Sequence, residues 1–415
     1  MTPQSRYMTG TALIVALGGF LMGFDASVIS GVVRFIEAEF ALSPLQVGWA
    51  VSSLSLTATL GMFASGPLSD RIGRRPVLQA AAVLFAVSAV ASAIAPDYLT
   101  LVVARMIGGL GVGAALIVAP MYIAEMASPA SRGRLVSFNQ LNIVVGISAA
   151  FFSNYLFLVL GESGASWTEA LKFGEWSWRW MLGIETLPAV AYLLALSRVP
   201  ECPRWLALRG RDGDALDVLG RVAGSAAAPA VLREVKQAIS AEAQLGKTPW
   251  RALLHPSLRL VMTVGIAVGV LQQITGINAV FFYAPVIFEQ TGIGANAAFM
   301  QAALVGLVNL LFTVVALAVI DRLGRRPLLG LGLAGIAVCM LTLAWGFNSA
   351  TYTLDRASVE ALPESVDRAA LAPLVGRSFG DDAEFRRAAC AALGEEPCRQ
   401  FGSRLVSESI SVDPW

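Results

Sequence analysis

The sequence predicts an all-α integral membrane protein built from two related groups of helices. Apolar residues make up 56% of the 415 residues and charged residues only 14%. The mean hydropathy of +0.66 lies well above that of soluble globular domains. One short charged phrase also occurs twice between long hydrophobic runs, at Asp70–Pro76 and Asp321–Pro327, which indicates an internal duplication.

Nine hydrophobic runs are long enough to cross a bilayer, because about 20 helical residues span roughly 30 Å of hydrocarbon. They cover residues 10–31, 44–66, 77–95, 99–126, 136–160, 179–198, 259–288, 297–320 and 327–348. The first run continues through Asp25 to Val33 without the small-residue cleavage site of a signal peptide. We therefore predict that it is a retained helix.

The distribution of Lys and Arg predicts the orientation in the membrane. Basic residues are concentrated in four loops, at 70–76, 127–135, 198–259 and 321–327. The loops between them hold only Arg34, Lys172 and Arg179. With the basic loops inside, the N-terminus is cytoplasmic in a multi-pass protein of the plasma membrane, which is the inner membrane if the cell is bacterial.

The order of the runs predicts four regions. Residues 1–198 form a six-helix transmembrane bundle, and residues 259–348 supply helices seven to nine. Between them, residues 199–258 are rich in Arg, Glu and Ala and carry leucines at helical spacing, which is typical of short amphipathic helices in a cytoplasmic linker. Residues 349–415 follow the ninth span and are predicted to be extracytoplasmic, with short helices at Glu364–Val375 and Asp382–Leu393.

Several phrases in this order resemble the sugar porters of the major facilitator superfamily. They are Gly23–Asp25, Ile29–Gly31, Arg105 with Gly108–Gly113, Pro120–Glu125 with Arg132 and Gly133, Trp178–Met181, Pro200–Leu206, and Gln272–Asn278. The resemblance runs from about Gly18 to Asn348 and includes both charged repeats. It implies a carrier of the major facilitator type and no enzymatic activity, and the chain offers no nucleophile, base and orienting group that could be placed together.

The sequence departs from this family after Asn348, where no further hydrophobic run follows. Members of the family have twelve spans, so we expect that helices ten to twelve are missing from a truncated product or a partial sequence. The resemblance implies that those helices add an aromatic residue to the sugar pocket and a second charged loop. A long loop at this place is similar to that of the proton-coupled inositol porters, which makes a cyclic polyol a candidate substrate.

Asp25 and Arg105 are the predicted proton-coupling residues. A charged side chain inside a membrane span is costly and usually marks a function or a paired partner. Both residues lie roughly 9–12 Å from the same predicted membrane face, at about 1.5 Å per residue. Withdrawal of the arginine would favour proton uptake by the carboxylate. The alternative is a permanent ion pair that fixes two helices, and we favour coupling because passive relatives carry an uncharged residue at the position of Asp25.

Amide side chains are the predicted contacts for the substrate, because a sugar presents many hydroxyl groups and no charge. The candidates are Gln140, Gln272, Gln273, Asn278 and Asn309, with Tyr283 as an aromatic neighbour beyond Phe282. Gly276 and Pro285 would permit an unwound or kinked helix that turns Gln272 and Asn278 to one side. The alternative is interhelical hydrogen bonding. We favour substrate contact mainly because the family resemblance implies it.

The charged phrases are the predicted cytoplasmic gate, which the resemblance implies to be a set of ion-pair clasps. Its residues are Asp70, Arg71, Arg74, Arg75, Glu125, Arg132, Glu201 and Arg204, with Asp321, Arg322, Arg325 and Arg326 in the second copy. The alternative is that they only set topology and anchor helix ends at lipid headgroups. Both roles are compatible.

Other motifs bind no cofactor in our interpretation. Gly109, Gly111 and Gly113 lie inside a hydrophobic span without a preceding strand, which favours close helix packing over a nucleotide loop. His255 is the single histidine, so no metal site can be assembled around it. Cys390 and Cys398 lie in the extracytoplasmic tail, where a disulfide could form.

The sequence therefore predicts a monomeric secondary carrier that moves a hexose, pentose or inositol together with a proton by alternating access. Its expected partners are the sugar or polyol, protons and the lipid bilayer, with no nucleic acid. Two alternatives remain: a facilitative uniporter, and a truncated product that binds sugar without transporting it or is inert.

Overall fold

The computed structural model describes residues 3–245, 255–289, 294–349, 351–354, 359, 368–379, 382–393 and 410–413. The first eight helices are α1 (Pro3–Glu39), α2 (Pro44–Ile72), α3 (Arg74–Ala93), α4 (Tyr98–Met126), α5 (Pro129–Glu162), α6 (Ser166–Ala170), α7 (Ser177–Gly183) and α8 (Thr186–Leu196). The next eight are α9 (Pro203–Leu208), α10 (Asp212–Ala223), α11 (Ala228–Leu245), α12 (Arg259–Ile274), α13 (Ile277–Phe282), α14 (Ala284–Glu289), α15 (Ala295–Leu323) and α16 (Arg325–Ser349). Two short helices, α17 (Arg368–Leu371) and α18 (Asp382–Leu393), and three strands follow.

Nine helical segments among the described residues are long and apolar enough to span a bilayer, which confirms the predicted all-α membrane fold. Several of these helices are longer than the hydrophobic runs that predicted them. Helix α1, for example, covers 37 residues. Intrahelical hydrogen bonds satisfy the backbone in lipid and continue to do so in the interface, so a helix need not end where the hydrocarbon ends. Helices α10 and α11 are long and apolar enough to span a bilayer only if they are counted as one segment, and the chain bends by 119° between them.

The chain divides into two compact units, Met1–Phe282 and Tyr283–Trp415. In the first unit α1 packs against α5, α2 against α4, and α3 against both α4 and α8. We call the end of this unit that carries Gly73 and Pro200 the basic end, and the end that carries Ile94 the opposite end.

Glycines allow these helices to approach closely. A Cβ atom on Gly109 or Gly113 would collide with Thr57 Oγ1 and the Ala58 carbonyl of α2, respectively. A Cβ atom on Gly111 would lie 3.1 Å from the Ala81 carbonyl of α3. Gly109, Gly111 and Gly113 therefore serve helix packing, as the sequence predicted.

The linker helices pack on the basic end. Leu206 of α9, Val218 of α10 and Leu232 of α11 join one buried core with Tyr122 of α4 and Val199. The predicted amphipathic leucines thus cover the ends of the membrane helices instead of facing water.

The second unit contains helices α14 to α16 and a small sheet that the sequence analysis did not predict. Strands β1 (Thr351–Leu354), β2 (Ser378–Phe379) and β3 (Ile410–Asp413) form an antiparallel sheet in the order β2-β1-β3. Its strands are at most four residues long, too short to show an alternating pattern in the sequence. The predicted helix at Asp382–Leu393 is present as α18. Of the predicted helix at Glu364–Val375 the structure describes residues 368–375, which hold α17 and a 3-10 turn.

Candidate functional site

Asp25 of α1 and Arg105 of α4 form a buried ion pair inside the first unit. Arg105 Nη1 lies 3.4 Å from Asp25 Oδ1, and Arg105 Nη2 donates a hydrogen bond of 3.3 Å to the Asp25 carbonyl. The two residues are 2% and 1% exposed, respectively. The structure therefore brings the predicted proton-coupling residues together, although 80 positions separate them in the chain.

Glu185 is a third buried charge that the sequence analysis missed. It is 3% exposed and interacts electrostatically with both Asp25 and Arg105. A signal was present, because Glu185 is a carboxylate inside the predicted span at 179–198 and the rule that identified Asp25 applies equally to it.

A local break in the helix holds Glu185. The predicted sixth span is divided into α7 and α8, with Ile184 and Glu185 between them. Pro188 has no N–H group, so it cannot donate to the Ile184 carbonyl one turn earlier. Ile184 and Glu185 nevertheless keep right-handed helical dihedral angles, and the span continues past the missing bond.

The three charged side chains leave polar atoms unsatisfied. Asp25 Oδ2, Arg105 Nε and Glu185 Oε1 are buried and have no hydrogen-bond partner among the described residues. Two carboxylates face one guanidinium, so the fully ionised cluster carries one excess negative charge. Burial of an uncompensated charge is costly, and one bound proton would neutralise the cluster.

The predicted sugar contacts of the first unit lie on α5 and at a break after α12. Helix α12 ends at Ile274, Gly276 adopts a φ of +75°, and α13 begins at Ile277. The side-chain amide of Asn278 donates a hydrogen bond of 2.9 Å to Gln273 Oε1 across this break. The predicted unwound segment is therefore present, but it joins Asn278 to Gln273 and not to Gln272, which the sequence analysis pairs with Asn278.

The other predicted sugar contacts are less constrained. Gln140 and Gln272 are exposed, and neither side chain hydrogen-bonds to a described residue. Tyr283 and Asn309 belong to the second unit, where both are partly buried.

The basic end carries the first copy of the predicted gate. Arg74 binds Glu125 through two hydrogen bonds, Nε to Oε2 and Nη2 to Oε1, each of 3.1 Å. It also lies 3.0 Å from Asp70. Arg204 Nε lies 3.9 Å from Glu125 Oε1, a long contact for an ion pair. The bidentate geometry identifies the Arg74–Glu125 pair as the strongest link of this cluster.

Glu201 accepts hydrogen bonds at the N-terminus of α3. Its carboxylate accepts from the backbone N–H of Arg74 at 3.1 Å and of Arg75 at 3.3 Å, and from that of Cys202 at 2.8 Å. Burial raises the pKa of Glu201, and these N–H groups partly oppose the rise. An acidic group here interacts favourably with the helix dipole and satisfies free N–H groups.

The remaining gate residues of the first copy have other contacts. Arg75 donates to the Ser197 carbonyl at 2.8 Å. The Arg71 carbonyl accepts a hydrogen bond from Arg209, whereas the Arg71 and Arg132 side chains are exposed. Four of the eight predicted side chains therefore form one ion-pair cluster, namely Asp70, Arg74, Glu125 and Arg204. Glu201 is joined to it through the backbone N–H groups of Arg74 and Arg75, whereas the side chains of Arg71, Arg75 and Arg132 lie outside it.

The second copy of the phrase repeats the backbone geometry of the first. Gly73 and Gly324 each separate two long helices with a positive φ, of 105° and 81°. Each backbone N–H closes the preceding helix at 3.0 Å, on Ser69 and Ile320 respectively. Arg322 and Arg326 are exposed, and the side chains of Asp321 and Arg325 lie outside the described residues.

The predicted disulfide is only partly within the described residues. Cys390 of α18 is disulfide-bonded, and Cys398 lies outside the described residues. The pairing of these two cysteines stays a prediction.

Known transport proteins resemble this chain. The family profile described as "Sugar (and other) transporter" matches residues 11–361. An arabinose-proton symporter of Bacillus subtilis (strain 168) is 40% identical over 335 residues, which are 80% of this chain and 69% of the relative. A D-xylose-proton symporter of Escherichia coli (strain K12) is 36% identical over 370 residues, covering 83% of this chain and 73% of the relative.

A solved structure also resembles this fold. The xylose transporter from E. coli in a partially occluded inward open conformation has a TM-score of 0.70 and 34% sequence identity. The match covers 82% of this chain and 77% of the transporter.

Proposed function

The chain belongs to the sugar (and other) transporter family, and from this membership we propose that it moves a monosaccharide or polyol across the membrane together with a proton. The named relatives are symporters for arabinose and for xylose, which supports a pentose as the first substrate to test. The proposed orientation places the basic end in the cytoplasm, because that end carries the basic loops.

The buried cluster of Asp25, Arg105 and Glu185 is the observation that carries the proton part of this proposal. Two carboxylates and one guanidinium favour the binding of one proton, since it removes the excess negative charge from a site with little solvent. A permanent structural ion pair would need only Asp25 and Arg105. The third charge, with its unsatisfied oxygen, has no role in such a pair.

The proton would be coupled to the sugar through Arg105. When Arg105 binds Asp25, the carboxylate is stabilised in its ionised form. A conformational change that moves the guanidinium away leaves Asp25 without its counter-charge, and the carboxylate then takes up a proton. Coupling to a membrane potential is worth about 2.3 kcal/mol per 100 mV, or roughly fiftyfold in accumulated sugar.

The sugar would bind at the amide groups. Gln273 and Asn278 are held together at the break that follows α12, and Gln140, Gln272, Tyr283 and Asn309 complete the proposed set. Neutral amides supply both donors and acceptors for hydroxyl groups. The amide pair at the break is exposed, so a hydroxyl group can compete for its hydrogen bond.

The clasp at the basic end would hold the cytoplasmic side shut while the cavity is open outward. Arg74, Glu125 and Glu201 tie α3, α4 and the start of the linker together, so their links can break as a unit. Arg322 and Arg326, with Asp321 and Arg325, are the proposed second clasp.

Uptake into proteoliposomes tests the proposal. With an inward proton gradient the wild type is expected to accumulate arabinose or xylose and to alkalinise the medium. Asp25→Asn should abolish accumulation but retain exchange of labelled for unlabelled sugar, because exchange needs no net proton release. Asp97→Asn is the matched control, since Asp97 accepts hydrogen bonds from Thr100 at the start of α4, outside the buried cluster.

Each other outcome identifies an alternative. Flux without alkalinisation would identify a uniporter, and sugar binding without flux would identify a receptor. Accumulation by Asp25→Asn equal to that of the wild type would contradict the coupling role.

A further inference from the structure

Helix α3 carries two buried serines, Ser88 and Ser92, close to the proposed proton site. Ser88 is 3% exposed and Ser92 is 2% exposed, and they lie one turn apart on the same helix face. Neither hydroxyl group hydrogen-bonds to a described residue. Most buried hydroxyls do find a partner, and in this unit Ser53 and Ser65 of α2 donate to their own helix, to the Ala50 and Met62 carbonyls.

Ser88 is a neighbour of Asp25. A Cβ atom built on Gly108 would lie 2.5 Å from Ser88 Oγ and 2.7 Å from Asp25 Oδ2. Both oxygens therefore lie beside the same glycine of α4. Asp25 Oδ2 is the carboxylate oxygen without a hydrogen-bond partner, and the missing side chain at Gly108 leaves room for the two oxygens to approach.

Ser92 continues this row towards the opposite end of the unit. Helices α3 and α4 are antiparallel, with Gly111 beside Ala81 and Gly108 beside Ser88. One further turn along each helix leads to Ser92 on α3 and to Arg105 on α4, whose Nε is also unsatisfied. Two residues after Ser92, Ile94 is 70% exposed, so the row ends near the surface.

We infer that Ser88 and Ser92 are positioning residues for proton transfer, which hold a short chain of water molecules between the opposite end of α3 and Asp25 Oδ2. The inference rests on the proposed proton coupling. The unsatisfied atoms Asp25 Oδ2 and Arg105 Nε are buried, and the two serine hydroxyls beside them have no partner in the described part of the chain, which is the setting in which ordered water is found. Each hydroxyl accepts a proton from the water on its outer side and donates its own inward, so the serines are unchanged and Asp25 gains one proton.

The charged groups that face Asp25 are few. Arg105 comes from α4 and Glu185 from the junction of α7 and α8. The charged residues of α3, Arg74 and Arg75, lie at the other end of that helix. No charged side chain of α3 can therefore take over the transfer if the hydroxyls are removed.

The test compares the double variant Ser88→Ala/Ser92→Ala with the matched control Ser53→Ala/Ser65→Ala in proteoliposomes. We expect the Ser88→Ala/Ser92→Ala variant to lower the initial rate of proton-driven sugar uptake at least fivefold. Sugar exchange at equal pH should stay within twofold of the wild type, because it needs no net proton transfer. The control should leave both rates within twofold. A merely structural role of Ser88 and Ser92 would lower exchange and uptake together and would overturn the inference.

A second measurement does not depend on transport. Infrared spectroscopy can follow the band of a protonated Asp25, identified by its loss in Asp25→Asn, as the protein is moved into D2O. The Ser88→Ala/Ser92→Ala variant should slow the deuterium shift of this band at least fivefold. An unchanged exchange rate would overturn the serine route even if coupled transport is found. If Asp25→Asn removes no such band at any pH, Asp25 does not carry the proton. The proposed transfer through Ser88 and Ser92 would then be wrong as well.

Discussion

Single residues decide the geometry of the basic end, and Gly73 is the clearest case. Its φ of 105° lies in a region that side chains other than glycine rarely adopt. A Cβ atom there would also collide with Glu201 Oε2, the carboxylate that accepts from the first N–H groups of α3. Gly73 therefore serves both the turn between two helices and the approach of the linker.

The duplicated phrase supplies a matched control for this position. Gly324 has a similar φ of 81°, but a Cβ atom there would meet only Pro327 Cδ at 4.0 Å. We predict that Gly324→Ala costs about 1–2 kcal/mol from backbone strain alone. Gly73→Ala should cost a further 1–3 kcal/mol, roughly, from the forced shift of Glu201.

Thermal unfolding in detergent measures the difference between the two variants. Gly73→Ala should lower Tm clearly more than Gly324→Ala. Equal shifts would show that Glu201 moves aside without cost.

At the scale of elements, the carboxylate of Glu201 connects the linker to the N-terminus of α3. The contact joins residues 126 and 127 positions apart, and it caps the first N–H groups of α3. No periodic pattern in the sequence indicates such a cap, because the acceptor comes from a distant part of the chain. By contrast, the capping box at the start of α2, where Ser43 and Gln46 bind each other reciprocally, is local.

The raised pKa of Glu201 gives a pH-dependent prediction. Burial raises this pKa above its ordinary value of 4.5, so the folded protein holds the proton more tightly than the unfolded chain. The contribution of Glu201 to stability therefore increases as the pH is lowered through the folded pKa towards 4.5.

The variant Glu201→Gln lacks this titration and isolates its effect. Relative to Glu201→Gln, the wild type should gain stability as the pH falls, which Tm measurements on both proteins between pH 7.5 and pH 5 can follow. A difference in Tm that is constant or shrinks on acidification would contradict the assignment.

At the scale of the whole molecule, the proposed function requires that one site is open to each side of the membrane in turn. Cysteines placed at Gln140, Gln273 and Asn309 should react with membrane-impermeant thiol reagents from either side. A saturating proton gradient or sugar should shift the side from which they react.

The native Cys202 provides a background control, because it is fully buried and donates to Glu125 Oε2 at 2.9 Å. Burial raises the pKa of the Cys202 thiol well above its ordinary value, so it should stay unlabelled. Substituted cysteines that react from one side only, under every condition, would rule out alternating access.

The number and place of the membrane helices were predictable from the sequence, and so was the duplication. Each membrane segment must be long enough to cross the hydrocarbon and must satisfy its own backbone hydrogen bonds. Both requirements are therefore visible in the sequence as long apolar runs. The Asp25–Arg105 pair was predictable for the related reason that matching depths can be counted along two helices. The helix break at Gly276 was predictable as well, because a glycine acts on the backbone at its own position.

The tertiary structure alone decided which distant groups meet. It added Glu185 to the pair of Asp25 and Arg105, aimed Glu201 at the start of α3, and placed Ser88 beside Asp25 Oδ2. These contacts depend on which faces of the helices pack together. Glycines such as Gly108 allow that packing, because even one added Cβ atom would collide with the neighbouring helix. Hydropathy along one chain carries no record of such contacts, because the same apolar helix can present any of its faces to a neighbour.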